Sequence, residues 1–383
     1  MDSYRSKVMK IVQQQLFALV RAGLWGAPTD MVFFPSRPDW ESICAQAARQ
    51  TVSGLVATAT FPPALRPPLC IESRLRNITI ATIRSHALLN RTLVELIDRF
   101  RQHGIYPVLL KGQGVASNYI EPTLRICGDI DLYIGKQDYD RACRLAKSWI
   151  INTDNEHGEE SEKHYHFKYG VVTVELHRLA EQLSLPWQNA RFQVWTQKHL
   201  HGAHLRSIVI EATVISLPPV NFDALYIFEH AWHHLIDGMG VGLRQLCDWV
   251  RYLYCFHDEI NRKELEMDLK AFGLWRPWQI FGPIAVGVLG LPVEMYPFYT
   301  DRYSKQSVAI LEMIERGGNF GFFDVSLTQR PQGYISGKLH SLARRNTRFG
   351  KLLFIAPKEI LIGWSHFLYV GVKTVISDKL HLS

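Results

Sequence analysis

The chain has 383 residues, 47% apolar and 21% charged, a composition ordinary for a soluble globular protein with a sizeable core in two or three domains. Its six cysteines (Cys44, Cys70, Cys127, Cys143, Cys247 and Cys255) include no C-x-x-C pair. This excludes a disulfide framework and reads as the reduced thiols of a cytoplasmic protein. The net charge of +7 is carried by the stretch from Arg330 onward, and no apolar run approaches the roughly 20 residues that span a bilayer.

The first 26 residues are broken by three glutamines and Arg21. Val12, Leu16, Leu19 and Val20 fall on one helical face, so a helix is expected there and not a signal peptide. DWESICAQAARQTVSGLVATAT continues the helical spacing, and the prolines of FPPALRPPL stop it. A long helix is expected from Glu72 to His103, closed by Gly104.

The period then changes. IYPVLL at 105–110 is strand-like and runs into the turn Lys111-Gly112-Gln113-Gly114, which suits a strand-to-helix connection. GDIDLYIG alternates strictly, QDYDRACRLAKSWI is helical, and HYHFKYG with VVTVELH reads as two strands joined at Gly170. The expected domains are therefore a helical region at 1–103, an α/β core at 104–220, a helical domain at 221–329 and a basic, apolar segment at 330–383.

Alternation puts Asp129 and Asp131 on one strand face and Ile130, Leu132 and Ile134 on the other. In VVTVELH it groups Thr173, Glu175 and His177. If the two strands are neighbours, Glu175 completes a three-carboxylate cluster. Carboxylates this close repel and are tolerated most readily around a cation. Oxygen donors suit Mg²⁺ or Mn²⁺, the ions that serve phosphoryl-type transfer. The bland alternative is a D-x-D pair that merely faces solvent. The glycine turn offers backbone N–H groups to an anion, with Lys111 and Arg125 as cations for a phosphate, although it is no Walker A loop.

Further on, His230, His233, His234 and Asp237 recur at helical spacing. A zinc site on His230, His234 and Asp237 competes there with a plain helix-packing seam. The reading favoured over zinc has His230, Arg244 and Asp248 facing the cleft to hold a substrate, and His177 joins them. The C-terminal segment has nine Lys/Arg against Glu359 and Asp378, and its apolar residues point to packing on the helical domain. The same basic segment also suits a membrane surface or an acidic partner, whereas nucleic acid fits poorly because apolar residues dominate.

LLKG, RICGDID and VELH, in this order, resemble the uncharacterised branch of the DNA polymerase beta-like nucleotidyltransferase superfamily. The likeness extends to LVRAGLWG, DWESICAQAA and GLRQLCDW. It implies an α+β fold, a small mixed sheet of nucleotidyltransferase-like topology flanked by N-terminal and C-terminal helical regions. It also implies transfer of a nucleoside monophosphate from a nucleoside triphosphate to an acceptor hydroxyl. Metal ligation and catalysis would fall on Asp129, Asp131 and Glu175, and nucleotide binding on Gly112, joined by Lys111, Gly114 and Arg125. The superfamily usually has Gly-Gly or Gly-Ser at the turn where this chain has Gly112-Gln113. A catalytically inactive nucleotide- or partner-binding scaffold of the same fold is the alternative.

Overall fold

A computed structural model describes residues 11–150, 158–183, 185–202, 204–237 and 240–319, together with scattered positions between 349 and 365. Three helices open the chain: α1 (Ile11–Trp25), α2 (Trp40–Arg49) and α3 (Ser53–Thr58). Asp39 caps α2 by accepting from the Ser42 N–H at 3.1 Å, which satisfies one of the amides a helix start leaves open. Helix α4 (Leu69–Gln102) follows the double proline and runs for 34 residues. The sequence places its start three residues later.

One seven-stranded mixed sheet follows. Its strands are β1 (Val108–Leu109), β2 (Asp129–Tyr133), β3 (Glu159–Glu160), β4 (His164–Tyr169), β5 (Val172–His177), β6 (Arg206–Ile210) and β7 (Thr213–Leu217), in the order β3-β4-β5-β2-β1-β7-β6. Strands β2 and β5 are parallel with Asp129 opposite Thr173 and Asp131 opposite Glu175; β4 pairs antiparallel with β5, His164 opposite His177. The apolar faces of these strands (Ile130, Leu132, Val174, Leu176, Tyr165, Phe167) are buried against the second half of α4 and α6. Short α5 (Gln113–Ala116), α6 (Tyr139–Trp149) and α7 (Pro186–Leu200) lie between strands. The result is the expected α+β fold, a mixed sheet flanked by helices.

The hairpin β6–β7 is absent from the sequence reading. It turns at Glu211 and Ala212, both with positive φ, so the glycine or asparagine that ordinarily marks such a turn is missing.

The remaining helices are α8 (Val220–Asp237), α9 (Leu243–Phe256), α10 (Arg262–Ala271), α11 (Trp275–Pro283) and α12 (Ser304–Gly317). They bury a common core with α1–α3 and the first turns of α4, centred on Trp249, Trp278, Phe228 and Phe281. Phe349, Leu352, Ile355 and Ile360 enter the same core, while Leu353, Phe354, Leu361 and Trp364, which the expected packing would also bury, are exposed. The nine basic residues of the segment lie outside the described positions. Among the described residues, no helix is long and apolar enough to cross a membrane.

Candidate active site

The site lies on the polar face of β2, β5 and β4, next to the turn that leaves β1. The in-register pairing brings Asp131 and Glu175 side by side, as strand alternation required. Asp131 is almost fully buried. Lys111 Nζ donates to its Oδ1 at 3.0 Å, and His177 Nε2 reaches the same oxygen at 3.0 Å. Burial works against this carboxylate, but Lys111 and His177 outweigh it and hold its pKa below the ordinary range. The same His177 nitrogen lies 3.2 Å from Glu175 Oε2.

Asp129 differs. Its carboxylate makes no ion pair or hydrogen bond among the described residues. The neighbouring Asp131 charge, then burial, raises its pKa to about 6. An acid pushed up by an adjacent carboxylate marks excess negative charge, which a divalent cation would relieve. On that ground the oxygen set Asp129, Asp131 and Glu175 fits Mg²⁺ or Mn²⁺.

Gly112 has φ +56°, and a Cβ on it would stand 3.5 Å from the Asp129 carbonyl oxygen. Backbone conformation therefore demands glycine there, more than space does. Gly114 is constrained by space: a Cβ would come within 2.6 Å of Leu217. Gln113 between them is 4% exposed, and neither of its side-chain amide atoms has a hydrogen-bond partner.

Lys111 is held from its far side as well. His230 Nε2 lies 3.3 Å from Lys111 Nζ, and His230 Nδ1 lies 3.1 Å from Glu181 Oε2. A carboxylate only accepts, so Nδ1 carries the proton and Nε2 is free to accept from the ammonium. Burial and then the Lys111 charge hold the His230 pKa well down, which keeps the ring neutral. Glu181 is 1% exposed and ion-paired with Lys163. The sequence reading missed Glu181 and Lys163. Nothing in their spacing points to the site, because each acts through its neighbour across the fold.

Arg125 and Asp248 hold each other. Arg125 Nε and Nη2 donate to the two Asp248 oxygens at 2.8 and 2.6 Å, Tyr119 adds its hydroxyl at 2.7 Å, and all three are buried. The pair ties the loop before β2 to α9, so Arg125 would reach a phosphate, and Asp248 a substrate, only by giving up this partner. Arg244 is less committed. It stands 3.9 Å from Asp248, and its charge favours the ionised form of Asp129. His234 lies 3.1 Å from His230, so these imidazoles belong to the lysine-positioning network.

A mixed sheet flanked by helices, with paired acids on one strand and a third in register beside them, defines a nucleotidyltransferase-like α+β protein. Residues 36–285 match the family model described as "Uncharacterised nucleotidyltransferase", and the chain belongs to that family. No match was found among curated proteins or among solved structures.

Proposed function

We propose that the chain moves a nucleoside monophosphate from a nucleoside triphosphate to an acceptor hydroxyl. The observation that carries this reading is the uncompensated Asp129 beside the in-register pair Asp131 and Glu175. These three carboxylates would hold Mg²⁺ or Mn²⁺, which would neutralise phosphate charge and lower the pKa of the attacking hydroxyl. The protein's own groups do the rest. The turn at Gly112–Gly114 approaches the phosphates through backbone N–H groups, and the unsatisfied Gln113 amide beside it gains partners from a ligand. Lys111 and Arg244 supply positive charge. Glu175, on the more open side of the cluster, takes the acceptor proton as the new P–O bond forms and pyrophosphate leaves.

Thermal shift of the full chain with Mn²⁺ and each nucleoside triphosphate is the test. The expected result is a rise of several degrees with the preferred nucleotide, absent in Asp129→Asn/Asp131→Asn. No stabilisation by any nucleotide would overturn the proposal. An inactive scaffold would show the stabilisation but release no pyrophosphate with any acceptor, and α5, at four residues, is short for a strong phosphate seat.

A further inference from the structure

We propose a second cation site on His164, Glu175 and His177, one that takes Zn²⁺ or another late first-row ion and not Mg²⁺ or Mn²⁺. Among the described residues this is a group whose ligand atoms all lie within 4.8 Å of one another. The sheet dictates the arrangement. His164 and His177 are directly paired across β4 and β5, with ring centroids 5.3 Å apart, and Glu175 shares their face two residues along.

A second observation points to a ligand. The Nδ1 atoms of both His164 and His177 are buried without a hydrogen-bond partner, and His177 is 1% exposed. A buried imidazole nitrogen left unpaired is costly, and a metal ion is one of the few things that satisfies it.

Donor chemistry selects the ion. Mg²⁺ takes oxygen ligands, whereas imidazoles suit zinc and its neighbours. Tetrahedral Zn²⁺ with bonds of about 2.0–2.1 Å sets its ligand atoms about 3.4 Å apart, so a cluster within 4.8 Å needs to close by up to about 1.4 Å through side-chain rotation. Three protein ligands leave a fourth position for water or a substrate atom. The site rests on the nucleotidyl-transfer reading only through Glu175, whose second oxygen it takes, so a bound Zn²⁺ would remove that residue as base.

The test uses the full chain without a polyhistidine tag, titrated with Zn²⁺ against a chromogenic chelator and separately with Mn²⁺. His164→Ala is expected to weaken Zn²⁺ by at least about tenfold, and Asp129→Asn to leave it within about threefold while removing Mn²⁺. If the alanine variant melts early, His164→Gln repeats the titration. The Co²⁺ absorption spectrum of the unaltered chain should also show the intense visible bands of a four-coordinate site. Absence of Zn²⁺ binding, Zn²⁺ affinity indifferent to His164, or loss of Zn²⁺ with Asp129→Asn would each overturn the proposal. Nucleotide-dependent stabilisation with Mn²⁺ is read separately, so failure here leaves that reading standing.

Discussion

Lys111 and Asp131 meet at 3.0 Å, so the carboxylate at the centre of the acid cluster is paired with a cationic side chain of the chain itself. Asp131, Asp129 and Glu175 together outweigh the burial that would discharge this lysine and raise its pKa. Its ammonium thus occupies the place where, in the proposed reaction, a divalent ion would draw charge.

Opposite effects on two ligands follow. Lys111→Met removes a competing cation from Asp131 and should tighten Mn²⁺ binding about tenfold, while weakening the nucleoside triphosphate by about 1–3 kcal/mol. Mn²⁺ titration by electron paramagnetic resonance and nucleotide titration by calorimetry measure the two separately. A parallel change in both would show that the lysine has one role only.

Asp129 gives a pH signature. Its folded pKa, about 6, lies above the ordinary 3.8, so the folded chain holds this proton more tightly than the unfolded one. The associated stability is present below about pH 4 and is lost as pH rises through about 6. At neutral pH, Asp129→Asn should therefore stabilise the metal-free chain by on the order of 2–3 kcal/mol, with the gain vanishing near pH 4. Urea denaturation across that window measures it. Mn²⁺ affinity of the unaltered chain should fall as pH is lowered through about 6, because the ligand must be deprotonated.

The Arg125–Asp248 pair makes a stability prediction free of ligand. Asp248→Leu strands a buried guanidinium and should cost about 3–5 kcal/mol, while the double variant Arg125→Met/Asp248→Leu recovers most of that loss. Nucleotide affinity of the double variant should match the unaltered protein. A large affinity loss would return Arg125 to the phosphate site.

Glu181→Gln tests the lysine's rear support. The neutral amide costs Lys163 its ion pair, and its one oxygen can accept from Lys163 or His230 but not from both, so stability should fall by on the order of 2–3 kcal/mol. Nucleotide affinity should fall several-fold, since Lys111 no longer has a fixed partner behind it. Chemical denaturation and calorimetry read the two effects.

Much of the site was legible because strand alternation is a local rule. The period of two in GDIDLYI and VVTVELH puts Asp129, Asp131, Glu175 and His177 on the right faces before any contact is known. The parallel register of β2 with β5 is not local. Spacing along the chain could suggest it only through the family likeness. The partner of Arg125 is hidden for the same reason: its basic charge is visible in the sequence, but Asp248 lies 123 positions away and neutralises it only after folding. Glu181 carries no pattern because it acts through partners, whereas the hairpin at Glu211–Ala212 has β-branched runs on both sides, Ile208–Ile210 and Thr213–Ile215, and lacks only the glycine that marks a turn.

Helix α4 has a mechanical consequence. Ile71 and Leu75 near its start are embedded among the other helices, while Leu89 to Phe100 near its end lie beneath the sheet. At 1.5 Å per residue this single rod is about 50 Å long, and it is anchored at both ends in different cores. Opening the cleft by swinging one core away from the other would require bending the rod or extracting one end of it. Substrate access that leaves both anchors in place would rely on smaller movements, such as rotation of side chains like Lys111. The entry and exit steps of this protein should be small in amplitude and fast compared with a hinged domain closure.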